Sequence, residues 1–479
     1  LMKTFKGGIT VFLSLVLAVL LGLLFTVIEA ARDNGADFQT ECVADMALQS
    51  ALAEYHREVL EQYDLFFVDI GYGTEEGGYI LLEEHLKEYM QKNFCVEDDL
   101  YIRSVKDLLR LTADTIVVTE ASGAADLDGS VMEREAVDYM LDRYGLLDGS
   151  VIQTIFQTVE DEGFLENSME EKRLANERAI DDVDTTVEDE DGKKHKIPVN
   201  NPADAVNSRR GSLGILKTVT RKEGISDQEV NLQEYISHRN YIERDGFLQG
   251  ETRISGVEDL LFQKYLMEKC GCYSERKENS YLTYQMEYLL AGKNTDLENL
   301  RYVVNRLLVL REAANFLYLL SDSKKQAEAE TLAMTVTAVT LFPELKDLVK
   351  LSILIGWAYG ESVNDVTILL EGGKVPLLKS SESWRLSLEN ALRLRVDDET
   401  EQSGEGLSYQ EYLHALLAVM DRKIRNFRFM DLMEMDIRQT EGNETFCMDH
   451  CIHGFRATIM THSDNGHDCM IKRTVSYCS

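Results

Sequence analysis

Proline is nearly missing from this chain: four residues among 479, at positions 198, 202, 343 and 376. Average usage is near 5%, and proline breaks helix interiors, so the scarcity favours a helix-rich fold. Basic residues are also short, with 50 Lys and Arg against 84 Asp and Glu, a formal net charge of −34. A surface of that sign is repelled by phosphate backbones and anionic headgroups, which argues against a nucleic-acid partner. Catalytic signatures are absent as well. There is no H-E-x-x-H, no G-x-S-x-G and no Walker lysine loop. Asp126-Leu-Asp-Gly-Ser130 echoes a calcium loop but lacks the glutamate at position 12 and reads as a turn. Gly372-Gly-Lys374 reads as another turn, and His56 and His85 as lone side chains on helix faces. Asn443-Glu-Thr445 fits the short glycosylation pattern. The expectation is a non-catalytic protein without a cofactor.

What the chain does have is one long apolar run. Twenty residues from Ile9 to Ile28 carry no charge, enough helix to cross about 30 Å of hydrocarbon. A cleaved signal peptide has a shorter apolar core and small residues before the cut; here Glu29 stands close before Ala31. Residues 1–32 therefore read as a cytoplasmic stub and a retained transmembrane anchor, closed by Glu29 and Arg32. Lys3 and Lys6 precede the span, which predicts the N-terminus inside and the remainder outside the cell. Ser14 and Gly22 are the small positions where another membrane helix could approach.

Beyond the anchor, residues 33–177 form an N-terminal α+β segment. The spacing of Ala44, Leu48, Leu52, Tyr55 and Val59 predicts a helix over 39–62, continuous with the span. Strands are expected at 65–73 and 115–120, and helices at 80–93, 131–144 (a capping box, Ser130 to Glu133) and 150–177. Residues 178–245 are a charged linker holding two of the four prolines. Residues 246–440 form a helical body with Gly292 as a stop, Thr295 as a cap, and helices near 281–291, 325–341, 344–361 and 408–438. Its runs at 331–342 and 351–359 are too short to span a membrane and read as buried core helices. Residues 441–479 are a C-terminal β-hairpin around Asn465-Gly466.

Four of the eight cysteines fall in that tail. A two-residue turn at Asn465-Gly466 pairs positions summing to 931, so His453 faces Cys478 and Cys451 shares their face. Three readings stay open. The first is a disulfide among Cys447, Cys451 and Cys478, with a second between Cys42 and Cys95. The second is simple packing. The third is a metal held by Cys451, His453 and Cys478, thiolate and imidazole being zinc ligands. Cys270 and Cys272 sit too close together for an easy bridge.

The opening Lys6-Gly-Gly8, the hydrophobic helix and the closing Ile28-Glu-Ala-Ala-Arg32 resemble TadE/TadG-like proteins of Tad-type pilus and secretion systems. The segments 63–69, 131–140, 284–300, 372–379 and 407–417 also resemble an uncharacterised family of single-span proteins from Gram-positive, Clostridia-type bacteria. The resemblance implies membrane and pilus-assembly partners. TadE/TadG-like proteins often carry a glutamate five residues into the helix, where this chain has Leu13. An accessory component is thus expected rather than a fibre subunit. The alternatives are an extracellular metal-dependent hydrolase built on the tail Cys/His group, or a ligand-binding ectodomain. In fold class the chain reads as an α+β, mainly helical ectodomain with a single N-terminal transmembrane helix. Its small antiparallel sheet joins the strands near 64–70 and 115–120 to the C-terminal hairpin, the helical body being inserted between.

Overall fold

The computed structural model describes residues 6–74, 77–94, 109–145, 168–188, 193–220, 224–244, 255–340, 342–395 and 406–477. The first elements are α1 (Lys6–Leu52), α2 (Arg57–Tyr63), β1 (Val68–Asp69), α3 (Ile80–Phe94), β2 (Leu111–Gly123) and α4 (Asp126–Tyr144). After them come α5 (Ser168–Asp181), β3 (Thr186–Glu188), β4 (Lys194–Lys196), α6 (Asp204–Asn207), α7 (Leu213–Thr220) and α8 (Gly256–Lys269). The helical run continues with α9 (Gln285–Ala291), α10 (Asp296–Ser321), α11 (Ser323–Thr340), α12 (Lys346–Leu370), α13 (Leu388–Leu392), α14 (Tyr409–Ala418) and α15 (Arg422–Ile437). The long strands β5 (Cys451–Ser463) and β6 (Asp468–Ser476) close the order. The chain divides into two compact units, one of Leu1–Ala136, Asn240–Arg253 and Ile437–Ser479, the other of Val137–Arg239 and Ile254–Asp436.

In the first unit α1 is one unbroken helix of 47 residues, about 70 Å long at the usual rise. Its first half is bare: the apolar side chains from Ile9 to Ile28 are all exposed. Its second half turns Ala36, Val43, Ala44, Ala47, Leu48 and Ala51 into the core at helical spacing. Small alanines let the helix lie close on the sheet beneath. The expected helix over 39–62 is thus continuous with the apolar run but stops at Leu52, and α2 restarts at Arg57. His56 causes the restart: its Nδ1 accepts the Val59 N–H at 3.4 Å and caps α2.

The sheet joins distant segments, as expected. Strand β5 pairs antiparallel with β2 along one edge and with β1 and β6 along the other. Alternate residues Phe455, Ala457 and Ile459 of β5 join Leu111, Ala113, Ile116 and Val118 of β2 in the core, the β2 alternation being shifted by a bulge between Ala113 and Thr115. The hairpin register differs from expectation by one residue. His462 pairs with Asp468 and Thr461 with Cys469, so partners sum to 930 rather than 931. The turn holds three residues, Asp464-Asn465-Gly466. Ser463 receives the Gly466 N–H at 2.8 Å and sends its own N–H to His467 O at 2.9 Å, with Gly466 at φ +82°. A type I turn closed by a left-handed glycine makes this longer loop. A one-residue slip exchanges the faces, so His453 now pairs with Tyr477, whose N–H it receives at 3.2 Å.

In the second unit α12 is buried on all sides from Ser352 to Leu370 and packs on α10 and α11. The expected caps are present: Thr295 accepts the Glu298 N–H, and Gly292 takes φ +61° after α9. The single helix expected over 408–438 is two, because Asp421 accepts the Ile424 N–H at 3.1 Å and starts α15 afresh. The run at 331–342 is not buried all round; in α11, Ala329, Ala333 and Thr337 face inward while Met334 is exposed. The expected helix over 150–177 falls mostly outside the described residues, which resume with α5. Residues 178–245 are not one linker. Those up to Arg239 belong to the second unit and those from Asn240 to the first, and they include the β3–β4 hairpin, α6 and α7.

Candidate functional site

Just before β5 the chain makes a short 3-10 turn, Met448–His450, closed by the His450 N–H on Cys447 O at 3.1 Å. This turn assembles a group that the sequence reading placed elsewhere. The ligand-type atoms of Cys447, Asp449 and His450 all lie within 4.8 Å of one another. Asp449 and His450 are buried and Cys447 is half-buried.

Neighbouring segments of the same unit hold each member. Asp449 Oδ2 accepts the Ile242 N–H at 2.9 Å. Arg244 donates to Asp449 O and, at 3.2 Å, to Gly77 O, while its own N–H goes to Asp126 Oδ1 at 2.8 Å. Burial pushes the Asp126 carboxyl up, against the N–H groups of Gly123 and Arg244 that it accepts. Arg438 donates from Nη2 to Cys447 Sγ at 3.4 Å and from Nε to Phe446 O at 2.7 Å. The His450 ring is wedged between two glycines. A Cβ on Gly71 would stand 2.9 Å from Nδ1, and one on Gly77 would stand 2.6 Å from Cδ2. No side chain fits at Gly77 without displacing the ring.

Asp69 and His56 lie in the same unit. Burial raises the Asp69 pKa, although its Oδ1 accepts the Gly71 N–H at 2.9 Å. Burial likewise lowers the His56 pKa. Because His56 Nδ1 accepts from Val59, the neutral ring carries its proton on Nε2 and donates to Asn443 Oδ1 at 3.0 Å. Asn443 Nδ2 in turn donates to Thr440 Oγ1 at 2.7 Å, so both ends of the amide in the expected glycosylation pattern are engaged. His85 is not a lone side chain either; its Nδ1 lies 3.1 Å from Glu54.

Two members of the ligand set expected from the sequence have other partners. His453 sends Nε2 to Glu135 Oε2 at 2.9 Å, and Cys451 points its thiol at Cys447 O at 3.8 Å. Cys478 lies outside the described residues. Cys42, Cys270, Cys272, Cys447, Cys451 and Cys469 are thiols rather than halves of a disulfide, so no bridge joins Cys447 to Cys451. The proposed partner of Cys42, Cys95, is outside the described residues.

The second unit carries a different polar feature, a fully buried charge cluster. Arg311 Nε donates to Asp365 Oδ2 at 3.0 Å, and Nη1 donates to the carbonyls of Pro376 and Leu377. Lys379 Nζ donates to Asp365 Oδ1 at 2.6 Å and to Glu361 Oε1 at 2.7 Å. The Glu361 carboxylate also receives the N–H groups of Arg385 and Leu386. Burial works against the Asp365 charge, but Lys379 and Arg311 outweigh it and hold the pKa below the usual aspartate value. Two cations balance two anions, and every charged head has several partners, as buried ions require. This cluster pins Pro376, Leu377 and Lys379, which directly follow the expected turn at Gly372-Gly-Lys374. A cavity of about 360 Å³ lies in the same unit, lined among others by Glu177, Asp181, Thr185, Lys196 and Asp204.

What these observations define is a head of antiparallel sheet and helices fused to one long, bare apolar helix. Residues 192–463 match the model of a Family of unknown function (DUF5702). That is more than half of the chain, and the chain belongs to this family. The matched stretch holds Cys447, Asp449 and His450 as well as the Arg311–Lys379 cluster. No curated protein and no solved structure matches the chain.

Proposed function

We propose that this protein is a membrane-anchored, non-catalytic component of a Tad-like pilus or secretion apparatus, its head held outside the cell. The supporting observation is α1: a 47-residue helix with a bare apolar half, long and apolar enough to cross a membrane, and a second half in the core of the head. A span linked through a loose tether would let the head drift. Here any motion of the membrane half is passed directly to the sheet, because α1 is tied to the hairpin at several points. Thr40 and Thr461 share a buried hydrogen bond at 3.0 Å, and Arg473 pairs with Glu41 at 3.3 Å and Asp45 at 3.2 Å. Lys6-Gly-Gly and Ile-Glu-Ala-Ala-Arg bracket the span as in TadE/TadG-like proteins, and Leu13 in place of the pilin glutamate favours a fixed accessory part. In this reading Ser14 and Gly22 are where a partner helix approaches.

The test is co-purification of the full chain from its native membrane, beside a version whose residues 9–28 are replaced by an unrelated span. The reading expects assembly-platform proteins with the native helix and their loss after the swap. An unchanged set of partners overturns it.

A further inference from the structure

We propose that Cys447, Asp449 and His450 bind a divalent cation of the zinc class, and that this cation fixes the turn before β5 with the His450 ring set against Gly71 and Gly77. The three side chains offer one thiolate, one carboxylate and one imidazole, a ligand mixture that suits zinc or cobalt and does not suit the oxygen-seeking magnesium and calcium ions. Their ligand-type atoms lie within 4.8 Å of one another. Ligands around a tetrahedral zinc ion are about 3.5 Å apart, given bonds of roughly 2.0–2.3 Å, so small side-chain rotations close the remaining gap.

The surroundings resemble the outer shell of a metal site. Asp449 has one oxygen engaged by the Ile242 N–H, which leaves its carboxylate oriented. Arg438 donates to Cys447 Sγ while bracing Phe446 O, the kind of partner that fixes a ligand's direction. The lack of a side chain at Gly71 and Gly77 makes room for the His450 ring, since a Cβ there would stand 2.9 Å from Nδ1 and 2.7 Å from Nε2. Cys447 is the one ligand open to solvent, and three protein ligands leave a coordination position on that side. The proposal does not depend on the pilus reading: the site lies wholly in the head, and its metal content and the partner set are separate measurements.

The experiment uses the full chain in detergent, reduced and freed of metal, titrated with cobalt(II) and then with zinc. The expected result is one equivalent of cobalt with a thiolate-to-cobalt charge-transfer band, bleached on adding zinc. Cys447→Ser, a half-exposed change that keeps side-chain volume, abolishes the band with the circular dichroism spectrum unchanged. Asp449→Asn weakens binding at least ~10-fold. Cys469→Ser, in the other tail thiol near acidic and histidine side chains, leaves the band intact. No band in folded, reduced protein, or a band that survives Cys447→Ser, overturns the proposal.

Discussion

Tyr409 donates its hydroxyl to Glu287 Oε1 at 2.6 Å, and both side chains are fully buried in the second unit. The same oxygen accepts the Tyr273 N–H at 2.8 Å, whereas Oε2 has no hydrogen-bond partner. Burial dominates these two bonds and pushes the Glu287 pKa from 4.5 up to about 7. In this window the folded protein keeps a proton that the unfolded chain has released. Stability from this group is therefore complete below pH 4.5 and is lost as pH rises to about 7. The effect is on the order of 3 kcal/mol. His414 runs the other way: burial takes its pKa down to about 4, so it adds stability as pH rises. Glu287→Gln isolates the first effect. Denaturant midpoints measured from pH 4.5 to 8 should fall less steeply with pH in the variant than in the parent; parallel curves would refute this account.

Arg311 and Asp365 anchor the buried charge cluster, and removing one member strands the others. Arg311→Met should cost about 3–5 kcal/mol, because an uncompensated carboxylate is left in the interior. Breaking an exposed pair such as Arg57 and Glu61 should change stability far less, because solvent screens it. Chemical denaturation of the two variants tests the contrast, and equal losses would count against it.

Gly77 and Gly78 are neighbours with opposite expectations. A Cβ at Gly77 meets the His450 ring and Ile242 Cδ1 at 2.6 Å, whereas one at Gly78 meets nothing within 4 Å. Gly77→Ala should destabilise the head by about 1–3 kcal/mol through overpacking, and Gly78→Ala should be close to neutral. Thermal melts of both variants decide it.

The buried hydroxyl pair of Thr40 and Thr461 seats α1 on β5. Thr40→Val leaves the Thr461 hydroxyl without its partner and should cost about 1–3 kcal/mol. The double change Thr40→Val, Thr461→Val should recover most of that loss, since both polar groups are gone. A double-mutant cycle with additive losses would show that the two hydroxyls do not act together.

Local signals were legible in the sequence because they depend on neighbours along the chain. The uncharged run from Ile9 to Ile28, the Thr295 cap and the Gly292 stop act within a few residues and appear where expected, and Asn465-Gly466 lies in the hairpin turn, though that turn is one residue longer than expected. The strand-like stretch at 115–120 and the hairpin signal also announced a sheet that includes the hairpin. Interactions between distant segments were not legible. The three-residue turn length moved the hairpin register by one, so that His453 meets Tyr477 rather than the position expected to face it. Glu135, 318 positions from His453 in sequence, could not be foreseen as its partner, nor Gly71 and Gly77 as the walls around His450. The Arg311–Lys379 cluster carries no sequence pattern, because its ions are spaced for a packed interior rather than for a motif. Chain order alone thus determined a long apolar helix, most of the other helices and several of their caps and stops. Which polar groups meet was decided by packing, where a buried charge or hydroxyl persists only beside a partner that the fold brings to it.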